Sequence, residues 1–114
     1  MQAVLERTDI KVKETQSVIA KLQGLLSELE AADNKTKNII ENKMVSLGET
    51  AIPELIAELQ HIKGSVRGTI AMVLIRMGER SVKPLLQAAS NNIEFDWMAK
   101  YLINEINCSN KIAA

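Results

Sequence analysis

Aromatic residues are scarce in this chain of 114 residues: one Phe, one Trp and one Tyr, all between positions 95 and 101. Leu, Ile, Val, Met and Ala must therefore build the core elsewhere. A single cysteine, Cys108, excludes an internal disulfide. A single histidine, His61, with no cysteine pair beside it, leaves no zinc ligand set, and no cofactor is expected. Fourteen basic residues balance fourteen acidic ones. Without a cationic surplus to neutralise phosphates, no nucleic-acid partner is expected. The densest basic stretch, Lys35, Lys37 and Lys43, is diluted by Glu41 and reads as a solvated helix face. The longest apolar run, residues 70–75, is far shorter than the roughly 20 residues that span a bilayer, so no membrane partner is expected either. The opening MQAVLERTDIKVKE lacks the apolar segment of a secretory signal. A cytoplasmic location is the default expectation, and the glycosylation-like triplets at Asn34 and Asn107 then carry no weight.

What the chain does have is a repeated phrase. LGETAIPELIAEL runs over residues 47–59 and MGERSVKPLLQAA over residues 77–89. Gly48 and Gly78 lie 78 − 48 = 30 positions apart. At that offset Ile52 matches Val82, Leu55 matches Leu85, and Ile56 matches Leu86. In the other direction Ile40 matches Ile70, Met44 matches Leu74, and Leu47 matches Met77. Shifting Ile52, Leu55, Ile56 and Leu59 back by 30 lands on Leu22, Leu25, Leu26 and Leu29, so a drifted third copy lies N-terminal. A fixed period of this length is the mark of stacked structural units. A single helical hairpin cannot cover its own apolar face, so stacked copies cover one another.

Each unit reads as two helices. Leu22, Leu25, Leu26 and Leu29 have the i, i+3, i+4, i+7 spacing of an amphipathic helix, and Val66, Ile70, Leu74 and Met77 give the second helix of the middle unit the same period. Gly48 and Gly78 follow such runs, where a left-handed terminating residue is cheapest as glycine. Thr50 and Ser81 are candidate N-caps for the next helices. Pro53 and Pro84 fall in first turns, where a missing N–H costs nothing. Asp33 or Asn34, and Ser65, are candidate caps for second helices. The resulting map is an all-α domain over residues 14–108, with helix pairs near 16–31 and 35–47, 51–61 and 65–77, and 81–90 and 96–107. Residues 1–13 form a separate N-terminal segment, either a short helix or unstructured, and residues 109–114 a C-terminal tail.

The stretch LGETAIPELIAEL…GSVRGTIAMVLIRMGERSVKPLL resembles HEAT repeats of the short, roughly 30-residue kind called PBS-lyase HEAT-like. The resemblance rests on the pair Val66–Arg67 opening a second helix, on Gly78 as the turn, and on Val82, Pro84 and Leu85 in the following first helix. Gly48, Ile52, Pro53 and Leu55 repeat the phrase one unit earlier. It covers residues from about 17 to 106 and weakens in the last unit, where FDWMAKYLINEI lacks the Val-Arg pair. The resemblance implies a right-handed α-α superhelix, a solenoid of about three helical hairpins, with second helices lining an inner surface. It also implies a scaffold that binds other proteins, or, in a minority of relatives, a lyase acting on bilin pigments. The family's arginine, here Arg67, is implied to bridge to an acidic residue or a helix C-terminus of the neighbouring unit. Fold alone does not choose among these functions.

The departure from that pattern is IAMVLIRM, apolar nearly all round. Such a helix is normally covered on all sides. Alternatively Met72 and Ile75, with Thr69 and Arg76 beside them, form an apolar patch, which marks a partner site or self-association face. The expected partner-binding residues are Thr69, Met72, Ile75 and Arg76, with Lys43 and Lys100 as flanking charges. Phe95, Trp97 and Tyr101 either close the C-terminal end of the core or anchor a partner.

Little here points to catalysis. His61 falls near a helix C-terminus, where a partial positive charge is favourable. Cys108, placed after the last helix, has no evident base. Glu54 and Glu58 share one helix face and read as solvation rather than as an acid–base pair. The glycines at 24, 48, 64, 68 and 78 stand singly and form no phosphate loop. Gly68, within a helix, either permits close packing or leaves a notch. The expectation is a non-enzymatic scaffold for protein–protein interaction. A bilin-lyase-like or chaperone role on a tetrapyrrole protein, and a structural homodimer, are the alternatives.

Overall fold

The computed structural model describes residues 2–62 and 64–113, with side-chain detail for residues 13–62, 64 and 66–108. Among the described residues the chain is helical, with no strand. Six α-helices follow one another: α1 (Gln2–Glu30), α2 (Asn34–Ser46), α3 (Ile52–His61), α4 (Ser65–Met77), α5 (Val82–Asn91) and α6 (Asp96–Ala113). Short 3₁₀ turns at Glu49–Ala51, Gly78–Ser81 and Ile93–Phe95 precede α3, α5 and α6.

The expected helix pairs are all present, and each helix packs on its hairpin partner: α1 on α2, α3 on α4, α5 on α6. The hairpins also pack on one another, α2 on α4, α4 on α6, and α3 on α5. One layer thus holds α2, α4 and α6, and the other holds α1, α3 and α5. The core between them is aliphatic, as the scarcity of rings requires. Leu22, Leu29, Ile40, Met44, Ile52, Leu55, Leu59, Ile70, Leu74, Leu85, Leu102 and Ile106 are fully buried. The repeat offset predicts most of these positions. It fails at Leu86, which matches buried Ile56 yet is exposed. Ile56 sits on α3, which α5 covers, whereas among the described residues no further hairpin covers α5.

Helix ends refine several expectations. Asp33 caps α2, its Oδ1 accepting from the Thr36 amide at 2.8 Å. Gly48 and Gly78 have φ of +82° and +71°, as their place after an apolar run predicts. Their ψ values of −169° and −138° lie near a region essentially reserved for glycine rather than in the left-handed helical one. Thr50 is not a cap: it sits inside a 3₁₀ turn, and Ala51 holds that place. Ser81 is buried, and its Oγ donates to the Leu74 carbonyl at 2.9 Å. It therefore satisfies an orphan oxygen in the last turn of α4 rather than the first amides of α5. Gly64, at φ +85°, takes the cap position of α4, and Ser65 is already helical.

At the ends of the chain, α1 runs without a break from Gln2 to Glu30. Likewise α6 runs on to Ala113, which places Cys108 within the helix and not after it.

Candidate partner-binding groove

Helix α4 is not covered on all sides. Ile70, Val73 and Leu74 face the core and are fully buried, but Met72 remains 47% exposed and Ile75 is half-buried. The uncovered side faces the start of α6. There Trp97 and Tyr101, one turn apart, are 61% and 54% exposed. Only Phe95 of the three aromatics closes the core. It belongs to the 3₁₀ turn before α6, whereas Trp97 and Tyr101 lie on the side of α6 that looks along α4.

The result is an open groove of about 360 Å³ between α4 and α6. Its α4 wall is Gly64, Arg67, Gly68, Ala71, Met72 and Ile75, and its α6 wall is Trp97, Met98 and Tyr101. The α4 positions repeat every three to four residues, so they form one continuous stripe. A Cβ built on Gly68 would meet no atom within 4 Å. Close packing therefore does not require this glycine, and its bare backbone deepens the groove instead. Exposed aromatic and methionine surface of this kind characterises sites that take a partner.

Arg67 is the one charged residue in this lining. Its guanidinium carbon lies 5.9 Å from the centroid of the Trp97 ring, within range for a cation–π contact. The ion pair implied for Arg67 by the family resemblance is absent among the described residues. Its Nε is buried without a hydrogen-bond partner. The side chain also borders a small polar cavity of about 150 Å³, shared with Gln60, Asn92, Glu94 and Phe95. Gln60 and Asn92 are engaged with each other there: Asn92 Nδ2 donates to Gln60 Oε1 at 2.9 Å.

Of the six expected contact residues, only Met72 and Ile75 line the groove. Thr69 is half-buried outside it. Arg76 turns to α2, where Nη1 donates to Glu41 Oε1 at 3.2 Å and to Asn42 Oδ1 at 2.8 Å. It ties two helices together. Lys43 borders a different depression, of about 320 Å³, between α1 and α2. Lys100 is on α6 but pairs with Asp96 one turn back at 2.9 Å. The spacing of Trp97 and Tyr101 was visible in the sequence. Their alignment with Met72 depends on how α6 docks on α4, which no local pattern encodes.

The remaining candidates for chemistry stay apart. Glu54 and Glu58 both accept from Gln23 Nε2, at 3.1 Å and 3.2 Å, which joins α3 to α1. His61 is exposed at the end of α3, and Cys108 is exposed on α6. Among the described residues no three His, Cys, Asp or Glu side chains converge as a metal site would require, and no helix is long and apolar enough to cross a membrane. No family model, no curated protein and no solved structure matches the chain.

Proposed function

We propose that the chain is a small scaffold of about three HEAT-like hairpins, arranged as a right-handed superhelix, that binds a protein partner through the layer of its second helices. The α4–α6 groove is the docking site, and the chain has no catalytic role of its own. One observation carries the reading: Met72, Trp97 and Tyr101 line one groove, each about half exposed, whereas the other exposed large aliphatics, Ile39, Leu86 and Ile93, lie outside it. Aromatic side chains concentrate binding energy because they bury large rigid surfaces at little entropic cost.

The test uses three forms of the protein: wild type, Trp97→Ala and Met72→Glu. Both substitutions fall at exposed positions, and circular dichroism verifies that each variant is folded. A protein captured from extract by wild type is then purified and titrated against all three. Trp97 is the only tryptophan in the chain, so the emission change that is lost in Trp97→Ala reports occupancy of the groove, while calorimetry gives the affinity of all three forms. We expect a blue shift on binding to wild type, and affinity at least about tenfold weaker for either variant. Equal affinity in all three, or no change in Trp97 emission at saturation, would sink the reading.

A further inference from the structure

We propose that the segment occupying the α4–α6 groove is an acidic amphipathic helix of the partner, and that Arg67 receives its carboxylate. This rests on the protein-binding reading above and names the chemistry of the ligand.

The argument starts from an unmet requirement. A guanidinium carries five N–H donors in a planar fork. Arg67 has a buried Nε with no acceptor, and its side chain has no ion pair among the described residues. Leaving such a group unpaired is costly, and the face of Trp97 offsets only part of that cost. The nearby acids do not remove the need. Glu94 lines the same small polar cavity as Arg67 without pairing to it, and Asp96 is paired with Lys100. Arg67 thus presents a positive charge, already oriented by the indole, at one end of an apolar trough. A carboxylate suits the fork, because it can accept two parallel hydrogen bonds. The flanking apolar walls exclude water and strengthen the pairing.

The shape of the trough selects the rest of the ligand. Its α4 wall extends from the cap residue Gly64 to Ile75, eleven residue steps or about 16 Å. That length suits a few turns of a second helix, which would lay apolar side chains one turn apart against Met72, Ile75 and Tyr101. Because Arg67 precedes Met72 and Ile75 on α4, the acidic residue falls at one end of the segment and the apolar anchors follow it. An apolar ligand with no acceptor would leave Arg67 buried deeper and still unpaired, and a neutral acceptor would supply no counter-charge.

The experiment is a selection from displayed helical peptides with leucine fixed at i, i+4 and i+7 and the other positions randomised. Wild type is expected to enrich Asp or Glu at one flank of the leucines. Arg67→Met, which keeps the apolar stem, is expected to lose that preference, and Glu94→Gln to keep it. The best acidic peptide, followed by Trp97 emission, should bind Arg67→Met at least about tenfold more weakly. Its Glu→Gln version should bind wild type and Arg67→Met alike. Arg67→Lys should fall between the two, since it keeps the charge and loses the fork. If wild type enriches peptides that need Trp97 but show no acidic preference, Arg67 is not the carboxylate site, while the groove remains a docking site. If enriched peptides bind Trp97→Ala equally well, or if none is enriched, the groove reading and this inference both fail.

Discussion

Two kinds of glycine sit in this chain, and they respond oppositely to a methyl group. Gly78 has φ +71° and ψ −138°, a conformation that L-residues rarely adopt. Gly24 lies within α1, where an added Cβ meets nothing within 4 Å. Gly78→Ala is expected to destabilise the fold by about 1–3 kcal/mol. Gly24→Ala is expected to stabilise it by about 0.5–1 kcal/mol through helix propensity. Urea unfolding of the two variants beside wild type measures both, and a shared sign would refute the distinction. The 30-residue offset exposed Gly48 and Gly78 as turn residues because both copies keep them. The offset does not mark Gly64 as a turn residue, since its counterpart at 64 − 30 = 34 is asparagine. Ser81 holds the N-cap position of α5, as expected, but its hydroxyl does not bond the amides of that helix. A serine before a helix looks like a cap, and only its burial against the end of α4 shows that it serves the preceding helix.

For the elements, the start of α2 offers a titratable handle. The Asp33 carboxyl is held below the usual aspartate range, chiefly by its hydrogen bonds with Thr36. A lowered pKa means that the charged form is favoured in the folded state. The contribution is therefore complete above the unfolded aspartate pKa and disappears as pH falls through the lower folded value. Asp33→Asn retains an acceptor at the cap without the charge. The stability difference between wild type and Asp33→Asn should be constant near neutrality and should shrink as the solution is acidified below the ordinary aspartate range. Denaturant melts at stepped pH decide this, and a gap that stays constant to the lowest pH would contradict it. The site was less legible at this scale than the helices were. Periodicity places Ile70, Val73 and Leu74 inward, but it cannot say what covers the opposite side of α4. That depends on the angle at which α6 arrives, and α6 turned Trp97 and Tyr101 outward while Phe95 filled the core.

Taken as a whole, the molecule stands on helix pairs that support one another. Removing residues 92–114 would take Phe95, Leu102 and Ile106 from the common core and uncover one side of both α4 and α5. Burying one such side chain contributes about 1.5–3 kcal/mol, and a domain of this kind is stable by only about 5–15 kcal/mol. The shortened chain is expected to lose its cooperative thermal transition, as followed by far-ultraviolet circular dichroism. A sharp melt close to that of the full chain would show instead that the first two hairpins stand alone. The helix pairs and the aliphatic core were readable in advance because they repeat. The groove was not, because it lies where the repeat lapses: the last unit has aromatics at positions that have none in the other two.

The makeup of the groove also gives it a particular chemical vulnerability. Met44 is fully enclosed and Met98 nearly so, while Met72 is 47% exposed on the groove wall. Among these methionines, oxidants reach Met72 most easily. Its thioether would become a polar, chiral sulfoxide on an otherwise apolar wall, a change that reductase enzymes can reverse. If the groove docks a partner as proposed, oxidation of Met72 would weaken that docking while the enclosed methionines stay shielded.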